Sequence, residues 1–270
     1  MSSEWSICVQ HRVSFLFSFV KNQCVCFRTG SWSQVLSRAL YKTDPVDEQV
    51  KIVAVDLQTM APLPGVIQIK GDITKRSTIE EILECFQTND KQMNKADLVI
   101  CDGAPDVTGL HDIDEFVQGN LVLAALNICL HVLAEDGNFI SKIFRTKNID
   151  LLYQQLKLFF HDVVIAKPRS SRNSSVESFI VCRQFHLPEN FQPNIDEPFI
   201  YSYEKKLSNV DDQSRSSFIL PFIACGSLDG FDSDKTYPLE QEYREPVQPP
   251  IHPAYEEACV LKKNKKIPNS

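Results

Sequence analysis

The chain has 270 residues, 43% of them hydrophobic, which is enough for one large core with an appendage and excludes a small disulfide-stapled scaffold. Its formal net charge of −7 excludes a protein that holds nucleic acid by bulk positive charge, although it leaves room for a local basic groove. Nine cysteines without zinc-ligand spacing and six scattered histidines predict no metal site, and the cysteines favour a reducing, cytoplasmic compartment. No apolar run approaches the ~18 residues of a membrane span, so we expect no membrane association.

Strand and helix patterns alternate from Gly30 to about residue 185. The predicted helices begin with the amphipathic stretch after Gly30, which ends near Leu40, and continue with Ser77–Gln87, Asp114–Leu133 and Asp150–Phe160. The predicted strands are Lys51–Asp56, Val66–Asp72, Ala96–Gly103, Asn138–Phe144, Val163–Lys167 and Glu177–Cys182. Ser77 followed by Glu80 predicts a capped helix start. This alternation is typical of an α/β, Rossmann-like fold whose mostly parallel sheet has helices on both faces and ends in a hairpin-like pair.

The two ends of the chain depart from this pattern. The residues before Gly30 read SFLFSFVKNQCVCFRT, which supply no acid and a poor strand, so we expect the first strand to be degraded or missing. After residue 185 prolines and acids accumulate around one apolar island, FILPFIACG. We therefore predict an atypical segment at 1–29, an α/β domain at 30–185 and a proline-rich, partly ordered tail at 186–270.

Acidic residues end three of the predicted strands. Asp56, Asp72 and Asp102 would meet at the edge where parallel sheets bind ligands, although each one alone is more simply a turn former. Asp56 lies 26 positions after Gly30, comparable to the ~20-residue offset at which an acid meets ribose hydroxyls. Because the GxGxxG spacing is absent, a ligand with ribose and adenine but no phosphates is favoured, and an NAD dehydrogenase is disfavoured.

A lysine inside an apolar strand adds a second kind of group to this edge. Lys142 in NFISKIF would ordinarily be an edge residue with its ammonium in water. Here it stands near the same sheet edge as Asp102, with Glu177 opening the terminal strand pair. Two carboxylates and a lysine gathered there could orient and deprotonate a weakly acidic hydroxyl.

The order of several motifs points to one family. The sequences GSWSQVLS, VAVDL, GDIT, CDGAPDVTG, FISKIF and PRSSRNSSVESFIVC occur in the order found in FtsJ/RrmJ-family RNA 2'-O-ribose methyltransferases, which the chain resembles from about Gly30 to Cys259. The tail sequences PFIACGSLDGFDSDKTYPL and QPPIHPAYEEAC are similar to the eukaryotic branch that modifies the tRNA anticodon loop. The resemblance implies methyl transfer from S-adenosyl-L-methionine to a ribose 2'-oxygen.

The same resemblance implies site residues and partners. It assigns cofactor contacts to Gly30 and Trp32 on the methionine side, Asp56 on the ribose, Asp72 near the adenine, and Asp102. It assigns catalysis to Asp102, to Lys142 as proton acceptor and to Glu177. The implied partners are tRNA and a helical-repeat or WD-repeat protein. A local track for the RNA is predicted from the basic residues Arg145, Lys147, Lys167, Arg169 and Arg172.

The resemblance is expected to end upstream of Gly30. Cys24 stands where the family has an acid, and Thr29 stands where it has a proline. The family's amino-terminal lysine has no counterpart, since Lys21 lies too close to the glycine turn. An alternative first exon or, as we favour, read-through of non-coding sequence would produce such a segment. With one lysine facing two carboxylates, we expect weak cofactor binding and poor methylation. The alternative function is an impaired isoform that binds RNA or a partner.

Overall fold

A computed structural model describes residues 23–27, 31–41, 50–87, 94–104, 111–145, 149–168, 171, 175–189, 191–195 and 221–224. The chain divides into two units, Met1–Tyr237 and Pro238–Ser270, and the described residues all lie in the first. The predictions that lie outside the described residues concern 1–22, Thr29, Gly30, Lys147, Arg169, Arg172 and most of the tail. The predicted domain boundaries stay a prediction.

Strands and helices alternate along the described chain as the sequence predicts. The strands are β1 (Gln23–Phe27), β2 (Lys51–Asp56), β3 (Val66–Lys70), β4 (Ala96–Cys101), β5 (Leu133–Phe144), β6 (Phe160–Lys167), β7 (Glu177–Phe185) and β8 (Phe222–Ala224). The helices are α1 (Ser31–Leu40), α2 (Arg76–Phe86), α3 (His111–Val132) and α4 (Ile149–Lys157).

Within the described residues, these strands form one sheet in the order β3-β2-β1-β4-β5-β7-β6-β8. The pairs from β3 to β5 are parallel, whereas β7 runs antiparallel to both β5 and β6. The mostly parallel, Rossmann-like sheet and its terminal hairpin-like pair are therefore confirmed. Carboxyl ends of β1, β2, β3, β4 and β5 share one edge, which we call the rim.

The first strand is present and is built from the cysteine-containing residues QCVCF, so the expectation that it is missing is wrong. Residues Gln23–Phe27 form the central strand β1, hydrogen-bonded in parallel to β2 and β4. Cys24 and Cys26 face one side of the sheet while Val25 and Phe27 face the other, and all four are buried. Burial raises the pKa of both thiols, so the cysteines pack as small neutral hydrophobes. Cysteine therefore serves this strand as well as a branched apolar residue would.

The two faces of the sheet carry separate cores. One core contains Val25 and Phe27 together with apolar side chains of α2, α3 and α4. The other contains Cys24 and Cys26 together with Trp32 and its neighbours on α1. Helices thus cover both faces, as predicted from the alternation of strands and helices.

Helix α2 begins without the predicted side-chain cap. Lys75 is the N-cap residue, in an extended conformation and with no side-chain capping bond. Ser77 lies inside the first turn, so the capping-box prediction is wrong. Glu80 instead accepts a hydrogen bond from Nε of Arg76 at 2.7 Å, one helical turn away.

Helix α3 contains an apolar stretch longer than the sequence pattern suggested. Ile113–Val132 has a mean hydropathy of 1.3 and is long enough to cross a membrane, so the expectation that no such stretch exists is wrong. In this fold 61% of its apolar window is buried, because the helix packs on the sheet between α2 and β5. The apolar composition of α3 is therefore explained by its place in the core.

The apolar island of the tail adds a strand to the sheet. Phe222 pairs with Ile165 and Ala224 with Lys167, so β8 runs parallel to β6 and is the outermost strand on that side of the described sheet. Part of the region expected to be a partly ordered tail thus completes the sheet of the preceding domain.

Candidate active site

Lys142 lies between two carboxylates at the rim. Its Nζ is 2.9 Å from Oε1 of Glu177 and 3.7 Å from Oδ1 of Asp102. The lysine side chain is only 12% exposed, while both carboxylates are partly open to solvent. The structure therefore brings together the three residues predicted to be catalytic, although their catalytic roles stay a prediction.

Strand register explains why these three side chains meet. In the parallel pair β4–β5, Ile100 lies beside Ile140, and continuing that register by two residues brings Asp102 beside Lys142. In the antiparallel pair β5–β7, Glu177 is the diagonal neighbour of Lys142 on the same face. The contact thus depends on the pairing of three separate strands.

A buried glutamine on α3, which the sequence analysis did not single out, ties two of these strand ends together. Nε2 of Gln118 donates to the carbonyl of Gly103 at 3.0 Å and to the carbonyl of Lys142 at 2.8 Å, and the residue is 2% exposed. The available signal was the spacing of Asp114 and Gln118, two polar residues one turn apart in a mostly apolar helix. Gln118 fixes the backbone beside both Asp102 and Lys142.

The acid that ends β2 shapes the turn that follows it. Oδ1 of Asp56 accepts a hydrogen bond from the backbone N–H of Gln58 at 3.0 Å. Its backbone carbonyl accepts another from Gly71 at 2.9 Å, which joins the ends of β2 and β3. The turn-forming interpretation and the ligand-binding interpretation of Asp56 are thus compatible, because a carboxylate can accept several hydrogen bonds at once.

The acid after β3 is held in the same way within the GDIT motif. Oδ1 of Asp72 accepts from both the backbone N–H and the hydroxyl of Thr74, at 2.9 and 2.7 Å. The preceding Gly71 allows close packing on α2, because a Cβ there would lie 2.6 Å from Oγ1 of Thr78. The motif therefore fixes the position of a carboxylate at the rim.

Trp32 supports the site from beneath. It is buried on α1, and its ring meets the ring of Phe179 edge-on, with centroids 6.0 Å apart. Phe179 lies directly opposite Lys142 in the β5–β7 pair. Trp32 thus packs against the residue beside the lysine, and its predicted contact with the cofactor stays a prediction.

The residues at the rim fit S-adenosyl-L-methionine. Asp56 ends β2, and Asp72 and Asp102 follow β3 and β4; these three strands lie together with β1 in one half of the sheet. Carboxylates accept hydrogen bonds from ribose hydroxyls and amino groups, and their negative charge suits a sulfonium. Cys24 lies at the amino end of β1, away from the rim, and is uncharged, because burial raises its pKa and the nearby Asp97 carboxylate raises it further. Among the described residues, no group of three or more metal-ligating side chains occurs.

Arg145 and Lys167, two members of the predicted basic track, lie beside the group formed by Lys142, Asp102 and Glu177, which we call the catalytic cluster. Nζ of Lys167 donates to the carbonyl of Ser175 at 2.6 Å, just before Glu177. Burial lowers the pKa of Lys167, and the nearby Arg145 guanidinium lowers it further. The rim of an anionic chain thus carries two close positive groups.

Close relatives of the chain share one description. It is 51% identical over 257 residues to a mouse tRNA (cytidine(32)/guanosine(34)-2'-O)-methyltransferase, covering 92% of this chain and 76% of the relative. The human protein of that name is 51% identical over 246 residues, covering 88% and 71% of the two chains. The Schizosaccharomyces pombe protein is 48% identical over 249 residues, covering 89% and 82%.

A solved structure and a family model agree with this assignment. The crystal structure of a ribosomal RNA methyltransferase from Plasmodium falciparum matches with a TM-score of 0.55 at 23% identity, covering 68% of this chain and 98% of that one, which supports the fold. A model of the FtsJ-like methyltransferase family matches residues 17–185. The match begins before Gly30 and includes β1, so the expectation that the resemblance ends there is wrong. The chain belongs to the FtsJ-like methyltransferase family.

Proposed function

We propose that this chain is a tRNA 2'-O-ribose methyltransferase that modifies cytidine 32 and guanosine 34 of the anticodon loop. The observation that carries this proposal is the 51% identity, over 92% of the chain, to a relative named for that reaction. S-adenosyl-L-methionine is the methyl donor. The alternative, an impaired RNA- or partner-binding isoform, is not favoured, because relatives of similar identity over most of the chain carry the same enzymatic name.

The residues at the rim have different roles in this reaction. S-adenosyl-L-methionine supplies a methyl group that is already activated, so the chain's task is to align the ribose and to manage one proton. Asp56 and Asp72 would hold the cofactor through its hydroxyl and amino groups. Glu177 and Asp102 hold Nζ of Lys142 at the rim, 2.9 and 3.7 Å away.

Lys142 has the role of proton acceptor in this reaction. When the 2'-oxygen takes the methyl group from the donor, whose sulfur keeps the bonding electron pair, Nζ of Lys142 would accept the hydroxyl proton, and the two carboxylates would stabilise the ammonium that results. Burial of the lysine side chain limits competition from water.

A methyl-transfer assay tests the proposal directly. The full chain is incubated with radiolabelled S-adenosyl-L-methionine and unmodified tRNA transcript, and the modified ribose is mapped by its resistance to alkaline hydrolysis. We expect label at positions 32 and 34, and none when those riboses carry a 2'-O-methyl group beforehand. Binding of the cofactor without any transfer would overturn the proposal and favour the impaired isoform.

A repeat-protein partner and a cytoplasmic location complete the proposal. The similarity of the tail to the anticodon-loop branch supports the partner, and the free, mostly buried cysteines of the described residues support a reducing compartment. Fractionation of cells that express the tagged chain tests the location. Co-purification of a helical-repeat or WD-repeat protein in the same fraction tests the partner.

A further inference from the structure

A cation and an aromatic ring meet beside the catalytic cluster in a contact that the proposed reaction does not use. The guanidinium carbon of Arg145 lies 5.1 Å from the centroid of the Phe222 ring, within the range of a cation–π contact. The ring belongs to the edge strand β8 and is 46% exposed, and Arg145 is also exposed. The contact with the guanidinium holds the ring in place while part of the ring stays open to solvent.

Backbone contacts connect this pair to the catalytic residues. Arg145 is three positions after Lys142 on the same chain segment, and its backbone N–H donates to the carbonyl of Val176 at 2.8 Å, next to Glu177. Nη2 of Arg145 also reaches the carbonyl of Ser175 at 3.4 Å. The guanidinium thus crosses the start of β7 before it reaches Phe222, and any shift of this segment would move Glu177 as well.

Because side chains alternate along a strand, Lys142 and Phe222 lie on opposite faces of the sheet. Lys142 follows Ile140, which packs in the core beneath α1, whereas Phe222 pairs with Ile165, which packs in the opposite core. An RNA loop that crosses the rim therefore meets Lys142 on one side of the sheet and Phe222 on the other, with β7 and β6 between their strands. Lys167 and Arg145 add the positive charge that its phosphates require.

We propose that Arg145 and Phe222 form a stacking platform for an unpaired base near the methylated nucleotide in the same RNA loop, an inference that rests on the proposed function. Unpaired bases of RNA loops bind proteins by stacking on aromatic rings and guanidinium planes, because every base has a π-face. The platform takes RNA in preference to an apolar peptide, since the exposed ring is bordered by two cations. β8 of the tail region thereby takes part in substrate binding.

An anticodon stem-loop with 2-aminopurine beside the target nucleotide tests the platform, since stacking on a ring quenches its fluorescence. Affinity and quenching are measured with the full chain and with Phe222→Ala, Phe222→Leu and Phe222→Trp, and kcat and KM for methyl transfer are determined in parallel. We expect Phe222→Ala and Phe222→Leu to weaken RNA binding about tenfold with less quenching, and Phe222→Trp to retain both. The value of kcat at saturating RNA should change less than about twofold, because the catalytic cluster is untouched.

Leu158→Ala is the matched control, since Leu158 is an apolar side chain 57% exposed before the opposite end of β6. It should leave affinity and quenching unchanged, and thermal unfolding should show every variant to be folded. Unchanged RNA binding in Phe222→Ala would overturn the platform while the proposed function stands, even if that variant lost a co-purifying protein. Equal losses in Phe222→Ala and Leu158→Ala would also overturn it. Failure of the unsubstituted chain to methylate tRNA would instead overturn the proposed function, and the platform with it.

Discussion

The two halves of the sheet hold their charged side chains in different ways. In the parallel half, Asp56 and Asp72 each accept a hydrogen bond from a backbone N–H two residues further along. In the half that contains the antiparallel strand β7, Lys142 is held by carboxylates that come from two other segments of the chain. The first arrangement is fixed by a short turn, and the second requires three strands to pair in the correct register.

This difference separates binding from chemistry. A local turn survives small changes elsewhere in the fold, so the proposed cofactor acids tolerate remote substitutions. The cross-strand cluster is sensitive to any shift of β4, β5 or β7, since a displacement of one residue would turn a side chain to the other face. Substitutions in the two halves should therefore damage different steps.

The largest effect is expected from Lys142→Met, which keeps the length of the side chain and removes its proton-accepting nitrogen. Methyl transfer should fall about a thousandfold, the usual scale for a general base, while the Kd for S-adenosyl-L-methionine stays within about threefold. Single-turnover transfer and calorimetry measure the two quantities. Lys157→Met, an exposed lysine on α4, is the control and should retain activity. If Lys142→Met lost cofactor affinity and transfer equally, the two halves would not separate cofactor binding from methyl transfer.

A second substitution tests the strand that lies in the middle of the parallel half. Cys24→Asp introduces the acid that the family carries, but at a fully buried position near the Asp97 carboxylate. We expect the free energy of unfolding to fall by about 3 kcal/mol, because the new charge is buried without a partner. Urea unfolding measures the change, and Cys24→Val should stay within about 1 kcal/mol of the unsubstituted chain.

The opposite outcome of this substitution would be informative. If Cys24→Asp kept its stability and tightened cofactor binding, then β1 would open toward the ligand at that position. In that case the parallel half would stabilise the introduced carboxylate by its contact with the cofactor, whereas Asp56 and Asp72 are held by local turns.

A smaller effect is expected from Asp56→Ala in the same half. Loss of a charged acceptor for the ribose hydroxyls should weaken S-adenosyl-L-methionine binding about tenfold, while transfer at saturating cofactor stays within about threefold. Calorimetry and saturation kinetics measure the two effects. Glu80→Ala, an exposed acid on α2, is the control. If kcat fell and cofactor affinity did not, Asp56 would belong with the chemistry.

Local patterns account for what could be predicted from the sequence. The bounds of β2 were predictable because KIVAVD is a short apolar run that ends in an acid, and the Asp72 turn was predictable from GDIT. The approach of Lys142 to Asp102 and Glu177 needed the resemblance as well, since no local pattern specifies strand register.

The remaining features depend on tertiary context. Strand β1 was underestimated because Cys24 and Cys26 have no strong strand preference, whereas the neighbouring strands bury them completely. Gln118 was missed because its role follows from two carbonyls that come from other elements. The start of α2 was predicted wrongly because Lys75 provides the N-cap without a side-chain bond.

The position of β8 has a consequence for synthesis of the protein. Its partner β6 ends at Lys167, and the ribosome must add about 57 more residues before Ala224 can pair there, which takes about 3 to 11 s at ordinary elongation rates. During that interval the outer edge of β6 presents unpaired N–H and C=O groups to solvent. The nascent chain is therefore most exposed to wrong association after Asp102 and Lys142 have been made.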